Sequence, residues 1–482
     1  MDEYIVAIDQ STSASKVFLV NRQGGIVTRC AKKHAQFFPR SGYVEQDAEE
    51  IWQNVRTGIE TVTRDCAPEE LRAIAISNQR ETTVIWERAT GIPLGNAIVW
   101  QDVRAGALCR DLLPSANEVL AKTGLRLSAY YPAAKAAFAL RGHPEWQKRA
   151  EAGEICIGTM DSYLIFRLTN GAVFRTDVSN ASRTELCDIH TLQWDAGLLA
   201  LFGIPRACLP DITPSDGDFG RTHTGVPITG VMGDSHASLF GQGCLCAGMA
   251  KATYGTGSSV MMNVGDACVS SSNGLSASVG FGFRGKTCYV LEGNVTSSGD
   301  TLCWLRDEAR LIDDVADVES IAASVRGTEG AYFIPAFSGL GAPYFDADAR
   351  AVLAGIHRGT TRAHIIRAAL ESIAYQDAEI VAAMERDTGK PLSELRVDGG
   401  VTCNALLMQF QSNLLGCPVR CAAQSELSAL GAACMAGMRV GVFGDEIFSA
   451  QRGGKTYLPD MGREERESLL TGWKKAVKQC RQ

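Results

Sequence analysis

The chain has 482 residues, with 47 Lys and Arg against 54 Asp and Glu, and so a formal charge of −7. A composition 45% apolar and 21% charged excludes a disordered chain, and the acidic balance excludes an electrostatic grip on nucleic acid, which needs a basic stripe. No apolar run reaches the ~18 residues of a membrane span, and the length fits two large domains or about three ordinary ones.

The start is acidic, Asp2-Glu3, and enters an apolar strand at once. It carries no basic region and cleavage site of a secretory signal, so a cytoplasmic location is expected. Tyr4 to Ile8 reads as a strand, Asp9-Gln10-Ser11-Thr12-Ser13 as a polar turn, and Val17 to Val20 as a second strand. Asn21 to Gly25 forms a hairpin turn before a third strand from Ile26. Leu71 to Ser77 is another strand, ending at Asn78-Gln79-Arg80-Glu81-Thr82-Thr83. Pro227 to Met232 forms a strand that ends in Gly233-Asp234-Ser235-His236. The sixteen cysteines are scattered, and the tightest pair, Cys244 and Cys246, has no Cys or His cluster beside it. They read as reduced thiols acting as small hydrophobes.

Ala252-Thr253-Tyr254-Gly255-Thr256-Gly257 leads into a strand from Val260 to Val264. After Thr361, a fitting N-cap, apolar residues at Ile365, Ile366, Ala369, Leu370, Ile373 and Ala374 follow a helical period. Arg396-Val397-Asp398-Gly399-Gly400 reads as a strand end and glycine turn. A helix then buries Leu406, Leu407, Phe410 and Leu414 and stops at Gly416, with Pro418 behind it. Strands alternate with helices in both parts of the chain, which predicts two α/β domains, residues 1–243 and 244–482, around a cleft.

Two turns of small hydroxyl residues follow strands, Asp9 to Thr12 and Tyr254 to Ser258. Backbone N–H groups and hydroxyls there could hold an anion, and the Asp could orient a magnesium-bound water. Each turn taken singly reads first as a plain hairpin turn. No Walker-type loop and no G-x-G-x-x-G opening a helix occurs, so P-loop and dinucleotide-binding readings lack support.

The set of motifs resembles the FGGY carbohydrate kinases, and within them the glycerol kinase branch. It comprises Ala7-Ile8-Asp9-Gln10, Ser77 to Thr83, Asn96-Ala97-Ile98-Val99-Trp100-Gln101, Asn180-Ala181-Ser182-Arg183-Thr184 and Ile189-His190-Thr191-Leu192. Tyr254 to Gly257, Gly339-Leu340-Gly341-Ala342-Pro343-Tyr344 and Val397-Asp398-Gly399-Gly400 complete it. The resemblance implies two domains of the actin/Hsp70/hexokinase type, which is ribonuclease H-like, with ATP and Mg²⁺ in the cleft. It makes Asp234 the catalytic base and puts Arg80, Glu81, Trp100, Tyr130, Asp234, Ser235 and Ser259 around a small polyol. It assigns Ser11, Thr12, Ser13, Lys16, Thr256, Gly257, Gly299, Gly399, Gly400 and Asn404 to the nucleotide and Asp9 to the metal. The chemistry agrees: Arg80 offers a fork of donors, Glu81 acceptors, and Trp100 a flat wall with an indole N–H as its polar handle.

Departures from the family pattern concern the acceptor. Ser235 stands where glycerol kinases usually carry Gln, Ser259 where they carry an aromatic, Ser11 where they carry Gly and Lys16 where they carry Arg. A larger polyol or ketose (tetritol, pentitol, pentulose) is therefore the alternative acceptor. An actin/Hsp70-type ATPase with no small-molecule acceptor, and an inactive sugar sensor, are rivals from other classes. Retention of Arg80, Glu81 and Trp100 argues against the first, and of Asp9 and Asp234 against the second. Gly220 to Gly225 is too short for the glycine-rich loop by which some glycerol kinases bind a sugar bisphosphate inhibitor. Homodimer and homotetramer both stay open as assemblies.

Overall fold

In the computed structural model, which describes residues 2–450 and 453–481, β1 (Tyr4–Gln10) sends Val6 and Ile8 into one core and Ile5 and Ala7 into another. Successive strand side chains point to opposite faces, so burial of both sets requires a sheet covered on both sides. β2 (Ala14–Asn21) and β3 (Ile26–Lys33) follow as antiparallel neighbours. Helix α1 (Ala48–Val62), N-capped by Asp47, packs Ile51 and Val55 on the outer face. β4 (Leu71–Asn78) and β5 (Ile228–Gly233) add in parallel on the other side of β1, giving the order β5-β4-β1-β2-β3. α2 (Asp234–Gly241) starts directly where β5 stops.

A second sheet contains β6 (Met249–Tyr254), β7 (Ser258–Gly265), β8 (Ser276–Phe283), β9 (Lys286–Val295), β10 (Glu394–Gly399), β11 (Val419–Cys421) and β12 (Thr456–Tyr457). Its order is β8-β9-β7-β6-β10-β11-β12. Without β8 and β12 this repeats the first sheet, with antiparallel strands on one side of a central strand and parallel strands on the other. Its helices are α3 (Gly299–Asp307), α4 (Arg362–Thr388), α5 (Ala405–Leu415) and α6 (Leu427–Arg439). Thr361 caps α4 as predicted, in a capping box with His364. Gly416 ends α5 in the left-handed conformation, φ +69°.

α2 and α6 lie between the sheets in one core that joins Ile5 and Ala7 to Met261 and Val290. The helices touch backbone to backbone: a Cβ on Gly431 would stand 1.8 Å from the Ala237 carbonyl oxygen. α6 thus fixes the helix whose first residue is Asp234. No helix among the described residues is long and apolar enough to cross a membrane. The first polar turn is shorter than predicted, because Asp9 and Gln10 continue the ladder with β2 and β4 and only Ser11 to Ser13 turn.

Candidate active site

Arg80 and Glu81 follow β4, and Asp234 opens α2 beside them. Arg80 Nε lies 3.3 Å from Asp234 Oδ1 and 3.6 Å from Glu81 Oε1. The fork that the sequence assigns to the acceptor is turned elsewhere. Arg80 Nη1 and Nη2 donate to Glu292 of β9 at 3.2 and 2.8 Å. Arg183 completes the group, 2.9 Å from Glu81 through Nε and 3.1 Å from Glu292 through Nη1. Arg80, Glu81, Arg183 and Glu292 are all buried. Burial alone would raise the Glu292 pKa, but Arg80 and Arg183 hold its carboxyl well below the usual range, so it stays ionised. Arg80 still has N–H bonds beyond those given to Glu292, and Glu81 keeps an oxygen beyond the one Arg183 uses. Those groups keep unused hydrogen-bonding capacity.

The Asp234 side chain is 38% exposed. Burial raises its pKa, Arg80 opposes the rise and Glu81 adds to it. A carboxylate with a raised pKa is a stronger base than a free one and remains ionised only above that value. His236, in the first turn of the same helix, is buried and bonded to Ser278 Oγ at 3.3 Å through Nε2, and burial pushes its pKa well down. It stays neutral.

Trp100 and Tyr130 form an edge-on pair, ring centroids 5.8 Å apart. The indole N–H, expected as a handle for the acceptor, instead donates to Thr12 Oγ1 at 2.9 Å. Only the ring face is left for a carbon chain. The same bond ties the acceptor wall to the first hydroxyl turn, whose Thr12 carbonyl also accepts from Gln46 Nε2 and meets His34 Nε2. Ser11 closes the turn on Ala14, and Ser13 is exposed. Lys16, assigned to the nucleotide, pairs with Glu426 at 2.8 Å.

Asp9, the penultimate residue of β1, has its carboxylate bonded to Ser77 Oγ at 3.2 Å. Burial pushes its pKa up to about 6; Lys16 opposes this, and the nearby carboxylates of Asp234 and Glu426 add to it. A carboxylate held in that balance is stabilised by a further cation. Among the described residues no three His, Cys, Asp or Glu side chains converge as a metal cage. A lone carboxylate such as Asp9 would fit Mg²⁺, which keeps waters and leans on substrate phosphates, and would not make an all-protein site.

The second hydroxyl turn borders a cavity of about 560 Å³ lined by Thr256, Gly299, Asp300, Gly400, Val401 and Asn404, among others. Gly400 faces open space, and Asn404 caps α5, its Oδ1 accepting from the Leu407 N–H at 2.9 Å. Gly257 and Gly399 stand behind this wall. A Cβ on Gly257 would lie 2.2 Å from the Val295 carbonyl oxygen. Gly399 has φ +99° and ψ 168°, a region open only to glycine, and its Cβ would lie 2.0 Å from the Tyr254 oxygen. Gly299 is held by contact alone, since its Cβ would lie 2.6 Å from the Gly255 oxygen.

The N-terminal domain of the FGGY family of carbohydrate kinases matches residues 4–241, and its C-terminal domain matches residues 250–440. The chain belongs to the FGGY family of carbohydrate kinases. This FGGY kinase is 45% identical to the glycerol kinase of Geobacillus kaustophilus, over 99% of both chains. It is 44% identical to that of Thermus thermophilus, again over 99% of both. The crystal structure of Plasmodium falciparum glycerol kinase with ADP superposes with a TM-score of 0.95 at 36% identity, over 99% of this chain and 98% of that one. A ligand-bound xylulose kinase from Lactobacillus acidophilus, 22% identical with a TM-score of 0.88, shares the fold. The fold of this FGGY kinase is the two-domain, ribonuclease H-like one of actin, Hsp70 and hexokinase.

Sequence reasoning about this FGGY kinase gave no role to Glu292, Arg183 or Lys251. Two of them left a local trace. Glu292 is a single acid in the apolar run Tyr289-Val290-Leu291-Glu292, and Lys251 a single base between Ala250 and Ala252. A lone charge in a buried strand implies a buried partner. Lys251 Nζ donates to Thr253 Oγ1 at 3.0 Å. Burial lowers its pKa while Asp398 and Glu292 hold it up.

Proposed function

We propose that this kinase transfers the γ-phosphoryl group of ATP to a terminal hydroxyl of glycerol or a closely related small polyol. The observation that carries the reading is Asp234, an accessible carboxylate at the start of α2, 3.3 Å from Arg80 and beside Glu81. Near-full-length similarity to curated glycerol kinases supports the acceptor class.

In this reading the acceptor lies on the Trp100 ring, with hydroxyls received by the remaining N–H groups of Arg80 and the free oxygen of Glu81. Asp234 takes the proton of the attacking hydroxyl, a role typically contributing 10²–10⁴-fold. The cavity beside Thr256, Gly299, Gly400 and Asn404 takes the nucleotide, and Ser11 to Ser13 face its phosphates. Asp9 would hold Mg²⁺, which supplies charge neutralisation at the phosphates when bound. Most of the rate comes from positioning, and closure of the cleft keeps water from replacing the alcohol. The two domains divide between Gly243 and Cys244, a reading supported by the change of sheet after α2. Mass spectrometry of a reaction with ATP and glycerol should find glycerol carrying one phosphoryl group. ADP formed beside unmodified glycerol would contradict the reading.

The larger-acceptor reading has one observation in its favour. Ser259 of β7 is paired in register with Asn294 of β9, whose side chain is exposed and makes no hydrogen bond among the described residues. That wall is polar, and a fourth or fifth carbon bearing a hydroxyl has partners there.

A further inference from the structure

We infer that Glu292, which comes from the half of the molecule opposite Arg80, is the positioning residue that sets Arg80 for the acceptor, so that acceptor binding depends on the two halves being held together. The inference rests on the acceptor reading above.

Arg80 leaves the first sheet after β4, and Glu292 belongs to β9 of the second, 212 residues away in sequence. Between them lies a two-pronged contact, Nη1 at 3.2 Å and Nη2 at 2.8 Å, with both side chains 5% exposed or less. Two parallel N–H···O bonds to a carboxylate fix the guanidinium plane as well as its distance. Ser259 Oγ donates to Glu292 at 3.2 Å, Arg183 Nη1 stands 3.1 Å away as an ion pair outside hydrogen-bond geometry, and Glu292 itself is buried. Glu292 therefore binds no acceptor hydroxyl itself; it acts through Arg80.

The closed ring Arg80–Glu292–Arg183–Glu81 balances two positive and two negative charges. Removing the charge of Glu292 leaves two buried guanidiniums with Glu81 as their shared partner. Arg80 then has one near alternative, Asp234, already 3.3 Å from its Nε. Turning the fork towards Asp234 takes donors from the diol and gives the base a tighter counter-ion. The nucleotide cavity shares none of these four side chains.

The test is steady-state kinetics on the full chain and on Glu292→Gln and Glu292→Asp, varying glycerol at saturating ATP and then ATP at saturating glycerol. Circular dichroism and melting curves verify that each variant is folded. Glu292→Gln should raise the glycerol KM by about tenfold or more, as loss of a buried charge partner does, while the ATP KM stays within about twofold. Glu292→Asp keeps the charge with a shorter reach and should fall between. If the Gln variant does not fold, the Asp variant carries the same test against wild type. A glycerol KM unchanged in the folded variants, or both KM values rising together as in general loosening, overturns the inference. A wild-type chain that phosphorylates no polyol defeats the acceptor reading and this inference with it. An active wild type whose Gln variant keeps its KM defeats this inference alone.

Discussion

At the proposed acceptor end of the cleft, Glu81, Arg183 and Glu292, from both halves of the molecule, lock together around Arg80. At the nucleotide end the wall is mainly backbone, shaped by Gly257, Gly299 and Gly399 at contacts where a Cβ would lie 2.0 to 2.6 Å from a carbonyl oxygen. A polyol offers hydroxyls that need donors and acceptors in fixed directions, which suits planar charged groups. Phosphates and a purine need close approach and N–H groups, which suits glycine turns and a helix start. The two ends should therefore fail separately. A lesion at the acceptor end should move acceptor kinetics, and one at the nucleotide end the ATP KM.

The largest expected effect is at Asp234. Asp234→Asn keeps the shape but takes no proton, so kcat should fall by roughly 10²-fold or more with little change in the ATP KM. In the wild type, activity should be lost as pH falls, at a pH above the ~3.9 of an ordinary aspartate, because burial raises the pKa. A variant within about threefold of wild type would remove Asp234 from the base role. At the other end, Gly399→Ala places a Cβ in a glycine-only region and against Tyr254. Strain of about 1–3 kcal/mol at that turn should raise the ATP KM by about tenfold and leave the glycerol KM nearly unmoved. Equal movement of both would erase the contrast between the ends.

Much of this contrast was legible in the sequence, and the rest was not, for a physical reason. The β1 to β3 run, the capped start of α4 at Thr361 and the stop at Gly416 are local signals, and each could be read from a few neighbouring residues. The nucleotide turns are local in the same sense. Partnerships across the molecule are not. Nothing near Arg80 shows that its fork meets Glu292, and nothing near Lys16 shows that it meets Glu426, 410 residues on. The Trp100 indole N–H faced the same limit, since its partner Thr12 lies 88 residues earlier. The packing of α6 on the first sheet, about 200 residues or more away in sequence, was hidden too, because an alanine-rich helix gives no sign of which sheet it covers.

A smaller effect sharpens the acceptor end. Ser235→Gln with Ser259→Phe restores the residue types of the glycerol kinase branch and fills the polar wall opposite Asn294. Contacts of that size are worth ~1–3 kcal/mol, so glycerol should gain about tenfold in kcat/KM over tetritols, pentitols or ketoses. An unchanged ratio, or equal loss on every acceptor, would mean that these serines do not set acceptor size. The smallest effect is on stability. Burial pushes Asp377 up to about 7 against a hydrogen bond from Ser258 Oγ. An acid whose pKa is raised on folding binds its proton more tightly when folded, so it costs stability as pH rises from about 4 to about 7. Asp377→Asn should remove that loss, gaining on wild type in melting temperature between pH 5 and pH 8. Parallel curves would show that Asp377 ionises no differently in the folded chain.

The most direct test of the central claim is the rate of ADP formation from ATP with and without a polyol, across glycerol, tetritols, pentitols and ketoses. An acceptor site built on Arg80, Glu81 and Asp234 requires that at least one polyol raise the rate by about 10²-fold or more over hydrolysis, the scale on which a positioned base acts. An ATPase rate that no polyol changes would contradict it.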